Sequence, residues 1–151
     1  MNSVRPVFIR ESRIFMCLFE ACFDTNKNCV VRSCQNIISN IKPEIGKDRP
    51  VVVVHRHRRN KLALVVPFTT QAPTDEIEKT THIPAGAMPG VLAKKECWAL
   101  CDMIEVVSTD RLQEIYSGDW KSNHRRLESK HSVLPQHYYL QIRTTLSGMF
   151  A

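Results

Sequence analysis

The stretch RPVVVVHRHRRNKLALVVPFTT, residues 49–70, decides the fold of this chain. It contains two apolar runs, residues 51–54 and residues 62–66, which are joined by a short and strongly basic connector. Both runs are short, rich in β-branched residues and bounded by proline or polar residues, which favours buried strands over helices. We therefore expect a β-hairpin in the middle of the chain.

The open end of this hairpin carries two polar side chains of chemical interest. Pro50 can begin the first strand, because its missing N–H costs little at a strand edge, and Pro67 closes the second strand. If the two strands pair antiparallel, Arg49 and Thr69 lie near each other. A guanidinium beside a hydroxyl is suited to binding a phosphate group.

The composition predicts one domain with a basic surface. A chain of 151 residues is long enough for one core and too short for two. The net charge is +6, and residues 42–61 hold seven lysines and arginines against two acidic residues. Such a concentration of positive charge favours a polyanionic partner, nucleic acid above all, although a solvated basic loop would have the same composition.

The cysteines and the N-terminus predict a reduced protein without a membrane span. Charged residues interrupt the N-terminal apolar segment and no small-residue cleavage site follows it, so we expect no signal peptide. The six cysteines are then expected to be free thiols. The spacing of Cys17, Cys22, Cys29 and Cys34 is marginal for structural zinc and no histidine flanks them, so we expect neither a metal nor a cofactor.

The segments around the hairpin predict further strands. Residues 12–23 fit a strand or an amphipathic helix, with the strand favoured, and residues 29–41 fit a short helix or a second strand. A loop at residues 42–48 leads into Arg49. The downstream segments are, in order, a polar loop at 71–81 that ends in a weak strand, a turn-rich linker at 85–90, and strand candidates at 91–92 and 97–107.

The C-terminal third predicts helical structure. Residues 108–116 resemble a helix start that Ser108 or Thr109 could cap, and residues 119–131 form a polar, basic loop. Apolar residues then recur at helical spacing, which predicts an amphipathic helix over residues 134–149 that packs on the sheet. These residues are Leu134, Tyr138, Ile142, Leu146 and Met149. Tyr138 and Tyr139 are expected to pack in the core and at its rim.

From the residues alone we expect a small, mostly antiparallel sheet or barrel with a C-terminal helix and a basic central loop. The chain lacks the GxxxxGK, HExxH and GxSxG motifs, and its spacing imposes no Cys–His pair. Nucleic-acid binding is therefore the favoured class of function, and catalysis stays open at this point.

Three blocks of the chain resemble the PemK/MazF family of toxin endoribonucleases. The first is PEIGKDRP followed by four valines, residues 43–54, and the second is PFTTQ, residues 67–71. The third is CWALCDMIEVVSTDRL, residues 97–112. An arginine–proline pair before valines is a weak motif alone, but three blocks in the family's order and at similar spacing are fairly specific.

The resemblance implies a mainly β fold of the α+β class, a small SH3-like barrel of the CcdB/PemK type with a C-terminal α-helix. It implies a single domain over residues 1–151. Within that domain, residues 1–41 form a divergent N-terminal region that can hold an insertion, residues 42–112 are the best-matching core, and residues 113–151 supply the basic loop and the helix. The family also implies a cytoplasmic homodimer that cleaves single-stranded RNA without a metal and that an acidic antitoxin inhibits.

On the family's pattern, Arg49 and Thr69 act at the scissile phosphate and are the catalytic residues, and Glu44 matches the loop glutamate. The residue types fit this chemistry. Attack by a ribose 2′-hydroxyl on its own phosphate forms a crowded and more negative phosphorane. A guanidinium stabilises that charge, and a hydroxyl can donate to a phosphate oxygen or relay a proton.

Further residues are predicted to bind the substrate. His55 and His57 alternate with Arg56 and Arg58, so we expect the two histidines to share one face of the strand end and the two arginines to share the other. For these histidines we favour phosphate contact over acid–base work. Asp102 fits either a buried carboxylate that serves Arg49 or an ordinary edge residue. The full set of predicted substrate-binding residues is Glu44, Lys47, His55, Arg56, His57, Arg58, Thr70 and Asp102.

Two alternatives remain open from the sequence. The family's first strand lies close before its glutamate loop, whereas the best candidate here, residues 13–23, lies well upstream. Either the intervening residues are an insertion, or residues 29–41 supply the strand. The second alternative concerns function, since a non-catalytic nucleic-acid binder or a gyrase-poison-like protein could use the same barrel. The presence of both Arg49 and Thr69 favours the ribonuclease.

Overall fold

A computed structural model describes residues 9–20, 22–24, 26–31, 47–87, 95–117, 126–127 and 132–150. The helices are α1 (Glu76–Thr81) and α2 (Gln136–Met149), and two single 3₁₀ turns span Cys101–Met103 and Thr109–Arg111. The strands are β1 (Ile14–Cys17), β2 (Cys22–Asp24), β3 (Cys29–Val31), β4 (Arg49–Arg56), β5 (Leu62–Thr69), β6 (His82–Ala87), β7 (Glu96–Leu100), β8 (Glu105–Ser108), β9 (Leu112–Gln113), β10 (Tyr116–Ser117) and β11 (Arg126–Leu127).

The predicted central hairpin is confirmed and forms the middle of the main sheet. β4 and β5 pair antiparallel, with Val51 opposite Pro67 and a register shift between Val53 and His55. The sheet has seven strands in the order β6-β7-β5-β4-β1-β9, and β8 pairs with β5 off this path. All of these pairings are antiparallel. β2–β3 and β10–β11 form two separate two-stranded sheets.

The hairpin is buried on both faces, which explains why its strands read as nearly continuous apolar runs. One face, with Val52, Val66 and Phe68, belongs to the core that α2 covers. The other face, with Val51 and Val65, belongs to a second core beneath β1, β8 and β9. Each fully buried valine contributes roughly 1.5–3 kcal/mol relative to an exposed position. The central hairpin therefore contributes side chains to both cores.

The predicted C-terminal helix is confirmed as α2. Its buried residues are Tyr139, Ile142 and Leu146, and Tyr138 packs at the rim of the same core, as the sequence predicted. Gly86 of β6 has a φ of +72°, and a Cβ there would lie 3.1 Å from the Tyr138 ring. A side chain at this position would be both strained and crowded, so glycine allows α2 to pack closely on β6.

The structure resolves the position of the first strand. β1 pairs with β4 on one side and with β9 on the other, so residues of the upstream segment supply a central strand. β3 begins at Cys29 and pairs with β2, not with the main sheet. The β2–β3 hairpin follows β1 in the chain and lies outside the main sheet, residues 32–41 lie outside the described part of the chain, and the insertion stays a prediction.

Two downstream predictions were wrong. The sequence predicts a loop with a weak strand over residues 71–81, but this segment contains α1, and residues 85–87 of the expected linker belong to β6. Asp75 caps α1, since its carboxylate accepts from the backbone N–H of Glu78 at 2.7 Å. An aspartate followed three residues later by a glutamate is a helix-start signal that the many polar residues of this segment concealed.

The strand predicted for residues 97–107 and the helix predicted for residues 108–116 also need correction. The expected single strand is interrupted by the 3₁₀ turn Cys101–Met103, which separates β7 from β8. Ser108 does cap a turn, and it accepts from the N–H of Asp110 at 3.3 Å, but the helix stops after one 3₁₀ turn. The chain then enters β9, because pairing with β1 buries Leu112 and overrides local propensity.

The cysteines whose side chains the structure describes are buried free thiols. Burial raises the pKa of Cys17 to about 12, which keeps this thiol protonated at neutral pH. The side chains of Cys22 and Cys29, and all of Cys34, lie outside the described residues, so the predicted absence of a zinc site is not tested. Among the described residues, no three His, Cys, Asp or Glu side chains form a metal-binding group. In the same residues, none of the helices has the length and apolarity required to cross a membrane.

Candidate active site

Arg49 and Thr69 lie together at the open end of the β4–β5 hairpin. The register that pairs Val51 with Pro67 places the first residue of β4 across from the last residue of β5. Nη1 of Arg49 donates to the carbonyl oxygen of Phe68 at 3.4 Å, and Oγ1 of Thr69 accepts from the N–H of the residue two positions later at 3.2 Å. Antiparallel pairing thus brings the guanidinium and the hydroxyl to one place, as the sequence predicted.

The Arg49 guanidinium is half-buried. Burial lowers its pKa from the ordinary value, but a guanidinium keeps its charge at neutral pH. The neighbouring carboxylate of Asp48 accepts from the backbone N–H of Glu20 at 3.3 Å. Within the described residues, Arg49 forms no ion pair with a carboxylate. A partly desolvated cation of this kind is well prepared to bind an anion.

Two open clefts meet at Arg49 and Thr69. The larger, with a volume of about 220 Å³, also contains Glu78 and His82, and we call it the His82 cleft. The smaller, with a volume of about 150 Å³, also contains Lys47, and we call it the Lys47 cleft. A group bound between Arg49 and Thr69 would therefore have space on both sides.

A histidine and a carboxylate form a close pair at the His82 cleft. Nε2 of His82 lies 3.2 Å from Oδ1 of Asp102, and the two side chains are 14% and 42% exposed. β6 pairs with β7 so that His82 is opposite Leu100. The 3₁₀ turn that follows Leu100 then brings Asp102 next to the imidazole. The pair thus depends on a strand pairing and on the turn at its end.

Glu78 adds a second carboxylate to the His82 cleft. Its Oε2 accepts from the backbone N–H of Thr74 at 2.8 Å and from the hydroxyl of the same residue at 3.1 Å. These hydrogen bonds hold the carboxylate against the N-terminal end of α1. The cleft therefore has one guanidinium, from Arg49, and two acidic groups near its histidine.

The predicted substrate-binding residues divide into two groups. Lys47 and Thr70 line the Lys47 cleft beside Arg49, and Asp102 lies at the edge of the His82 cleft through its contact with His82. Glu44 lies outside the described residues. The remaining four are at the other end of the hairpin, about 20 Å from Arg49 at the rise of an extended strand. They are His55, Arg56, His57 and Arg58.

At the hairpin tip, β4 ends at Arg56 and a register shift precedes His55, so Arg58 belongs to the turn. Nδ1 of His57 accepts from the N–H of Asn60 at 3.1 Å, and His55 is 3.9 Å from the carboxylate of Glu11. His55 and His57 are both exposed and flank the half-buried Arg56, and the N–H of His57 donates to the carbonyl oxygen of Leu62 at 3.0 Å, so the predicted alternation holds as far as His57. Contact of the two histidines with RNA stays a prediction.

Sequence reasoning missed His82 and Glu78. His82 follows a polar segment that has the composition of a loop, and no motif marks it. Its neighbour Asp102 is 20 positions later in the chain and reaches it through the β6–β7 register. Glu78 was visible as part of a possible helix-start pattern after Asp75. Recognition of that pattern would have placed Glu78 near the end of β5.

Comparison with known proteins gives a family match over most of the chain. The model of the PemK-like, MazF-like toxins of type II toxin–antitoxin systems matches residues 35–150. None of the curated proteins matches the chain.

Solved structures of similar fold include MazF toxins. Crystal Form-I of MazF from Deinococcus radiodurans is 15% identical, with 94% of this chain and 96% of that chain covered and a TM-score of 0.50. Mycobacterium tuberculosis toxin MazF-mt6 is 16% identical, with 71% and 90% covered and a TM-score of 0.47. Form-I of the MazE–MazF complex from D. radiodurans is 18% identical, with 68% and 81% covered and a TM-score of 0.42. The first similarity supports the mainly antiparallel β fold with a C-terminal helix.

Proposed function

The chain belongs to the PemK-like, MazF-like toxins of type II toxin–antitoxin systems, and from this premise we propose that it is a metal-independent endoribonuclease that cleaves single-stranded RNA. The observation that carries the proposal is the position of the half-buried Arg49 guanidinium beside the Thr69 hydroxyl, where two open clefts meet. A phosphate bound there has a cation and a hydroxyl donor on one side and open space for the flanking nucleotides on the other.

The chemistry uses the nucleophile that RNA itself supplies. The ribose 2′-oxygen attacks the adjacent phosphorus, the bond from phosphorus to the 5′-oxygen breaks, and the products end in a 2′,3′-cyclic phosphate and a 5′-hydroxyl. Negative charge accumulates on the non-bridging oxygens in the transition state. The fork of N–H donors of Arg49 and the hydroxyl of Thr69 stabilise that charge more strongly than the charge of the ground state.

The rest of the RNA strand binds through positive charge. Lys47 and Thr70 line the Lys47 cleft beside the reacting phosphate and contact the next part of the backbone. The cations of the hairpin tip, Arg56, Arg58 and the histidines between and before them, lie farther along the same hairpin and attract a longer strand. Binding of this kind depends on salt, because each phosphate contact releases counterions.

The toxin family supports a protein partner as well. The MazE–MazF complex from D. radiodurans is an assembly of such a toxin with a second protein. We infer that an acidic antitoxin binds this chain over the basic groove and blocks access to Arg49. The chain acts as a homodimer in the cytoplasm, where messenger RNA is available.

Removal of either predicted catalytic side chain should abolish most of the cleavage. We would incubate a long single-stranded RNA with excess EDTA and the wild type, Arg49→Ala or Thr69→Ala. Discrete fragments are expected from the wild type, and a rate lower by about 10²–10³-fold from each variant, because each loses one donor to the developing charge.

Matched controls are available on α2. Arg143→Ala and Thr144→Ala remove the same chemical groups from exposed positions of this helix, and both should cleave like the wild type. Equal cleavage by all five proteins would contradict the assignment of the two residues. A folded wild type that binds RNA without cutting it would favour the non-catalytic binder, and inhibition of gyrase on supercoiled DNA would favour the gyrase poison.

A further inference from the structure

The His82 cleft contains a proton-transfer group that the proposed roles of Arg49 and Thr69 do not use. The imidazole of His82 lines the same cleft as these two residues and is largely buried, with 14% of its side chain exposed. Contacts hold both the backbone and the ring of this residue. The backbone N–H of His82 donates to the carbonyl oxygen of Glu78 at the end of α1, and the ring contacts Asp102.

The contact with Asp102 decides which ring nitrogen can act. Nε2 of His82 lies 3.2 Å from Oδ1 of Asp102, and two lone pairs at that distance would repel each other, which favours the tautomer with the hydrogen on Nε2. In the neutral imidazole, Nδ1 then has the free lone pair. Nδ1 has no hydrogen-bond partner among the residues that the structure describes. The carboxylate thus favours the tautomer in which the other nitrogen accepts a proton.

We propose that His82 is a catalytic base and that Asp102 is its positioning residue. This inference rests on the proposed cleavage of RNA. The proton of the attacking 2′-hydroxyl passes to Nδ1 of His82 while the 2′-oxygen bonds to phosphorus, and the 5′-oxygen leaves and takes a proton from solvent. The imidazolium that forms is stabilised by the Asp102 carboxylate. Arg49 and Thr69 stabilise the charge on the phosphate, so the two functions are divided between the two sides of the cleft.

The groups around His82 come from four elements. Asp102 approaches from the 3₁₀ turn and contacts the ring, Glu78 of α1 and Arg49 of β4 line the same cleft, and β7 contributes the apolar Leu100. The ring thus has a carboxylate beside it and shares its cleft with the guanidinium proposed to bind the phosphate.

The test separates proton transfer from a merely structural histidine. His82→Gln retains an N–H donor for Asp102 but cannot accept a proton. Single-turnover cleavage of RNA in EDTA should become about 10²-fold slower or more, whereas the affinity for the same RNA should change by less than about threefold. The wild-type rate should rise with pH as the base becomes free to accept a proton, and this rise should be absent from His82→Gln.

Two further variants keep the test decisive if His82→Gln folds poorly. His82→Ala should regain part of its activity when imidazole is added, because the vacated cleft admits the missing base. Asp102→Asn should cleave more slowly, since an amide can reverse the tautomer that the carboxylate favours. The matched control is His137→Gln on α2, an exposed histidine outside both clefts, which should cleave like the wild type with the same pH profile.

The outcomes discriminate between the inference and the proposed function. An active wild type whose rate and pH profile are retained in His82→Gln would overturn the role of His82 and leave Arg49 and Thr69 in place. A wild-type rate that does not change with pH would overturn it as well. A wild type that does not cleave RNA would overturn both the proposed function and this inference.

Discussion

The two ends of the β4–β5 hairpin carry similar cations in different surroundings. At the open end, Arg49 is half-buried between two clefts that also involve α1, β6 and the 3₁₀ turn. At the tip, residues 57–61 are exposed, and neither cleft reaches them. The walls of a cleft fix the orientation of a cation and lower the local dielectric constant, and electrostatic stabilisation of a transition state depends on both. Exposed cations only raise the local concentration of a polyanion. The comparison suggests that one hairpin supplies catalysis at one end and attraction at the other.

A change of Arg49 to lysine should give the largest effect. Arg49→Lys keeps the charge but loses the planar fork of donors, so the cleavage rate should fall by about 10²-fold. Arg58→Lys at the tip also keeps its charge, and its rate should stay within about threefold, because long-range attraction does not need the fork. Single-turnover rates at saturating protein measure both. Equal reductions of the cleavage rate in the two variants would contradict the distinction between a catalytic open end and an attracting tip.

The close packing of α2 on β6 should tolerate little change in side-chain size. Gly86→Ala introduces a Cβ at a φ of +72° and 3.1 Å from the Tyr138 ring, so it should lower the free energy of unfolding by about 1–2 kcal/mol. Gly148→Ala is the matched control, since nothing lies within 4 Å of its added Cβ in α2. It should raise the free energy of unfolding by roughly 0.5–1 kcal/mol. Urea denaturation measures both, and a stable Gly86→Ala would contradict the close packing of α2 on β6.

The smallest effect is expected from the removal of charge at the tip. The double variant Arg58→Ala, Arg59→Ala should bind single-stranded RNA less tightly at low salt. Its plot of log affinity against log salt concentration should be less steep by about 1.4, which is about 0.7 for each phosphate that an arginine no longer neutralises. Fluorescence anisotropy at several salt concentrations gives this slope. Arg143→Ala should leave the slope as it is, and an unchanged slope in the double variant would exclude the tip from the RNA path.

Local sequence predicted the parts of the fold that depend on local patterns. The central hairpin followed from two apolar runs between prolines, and α2 from residues at helical spacing, because these signals need no distant partner. The meeting of Arg49 and Thr69 followed from the hairpin, since antiparallel pairing places the two strand ends together. The role of these residues at a phosphate stays a prediction from the family's pattern.

The rest of the site depends on contacts between distant residues. His82 and Asp102 meet through the β6–β7 register and a 3₁₀ turn, neither of which has a strong local signal. The turn interrupts a run of residues, 97–107, that reads as one strand. Leu112 likewise enters a strand because β1 is available to pair with it. In each case tertiary pairing outweighed a local preference that is worth less than about 1 kcal/mol per residue.

The central position of β4 has a consequence for how the protein moves. Its neighbours on both sides are hydrogen-bonded strands, and Val51, Val52 and Val53 have no exposed surface. Amide hydrogens in such a strand exchange with solvent only when the whole sheet opens, whereas those of exposed turns exchange through local fluctuations. Arg49 is the first residue of this slowly exchanging strand. The guanidinium is thus anchored to the segment of the chain that local unfolding reaches last.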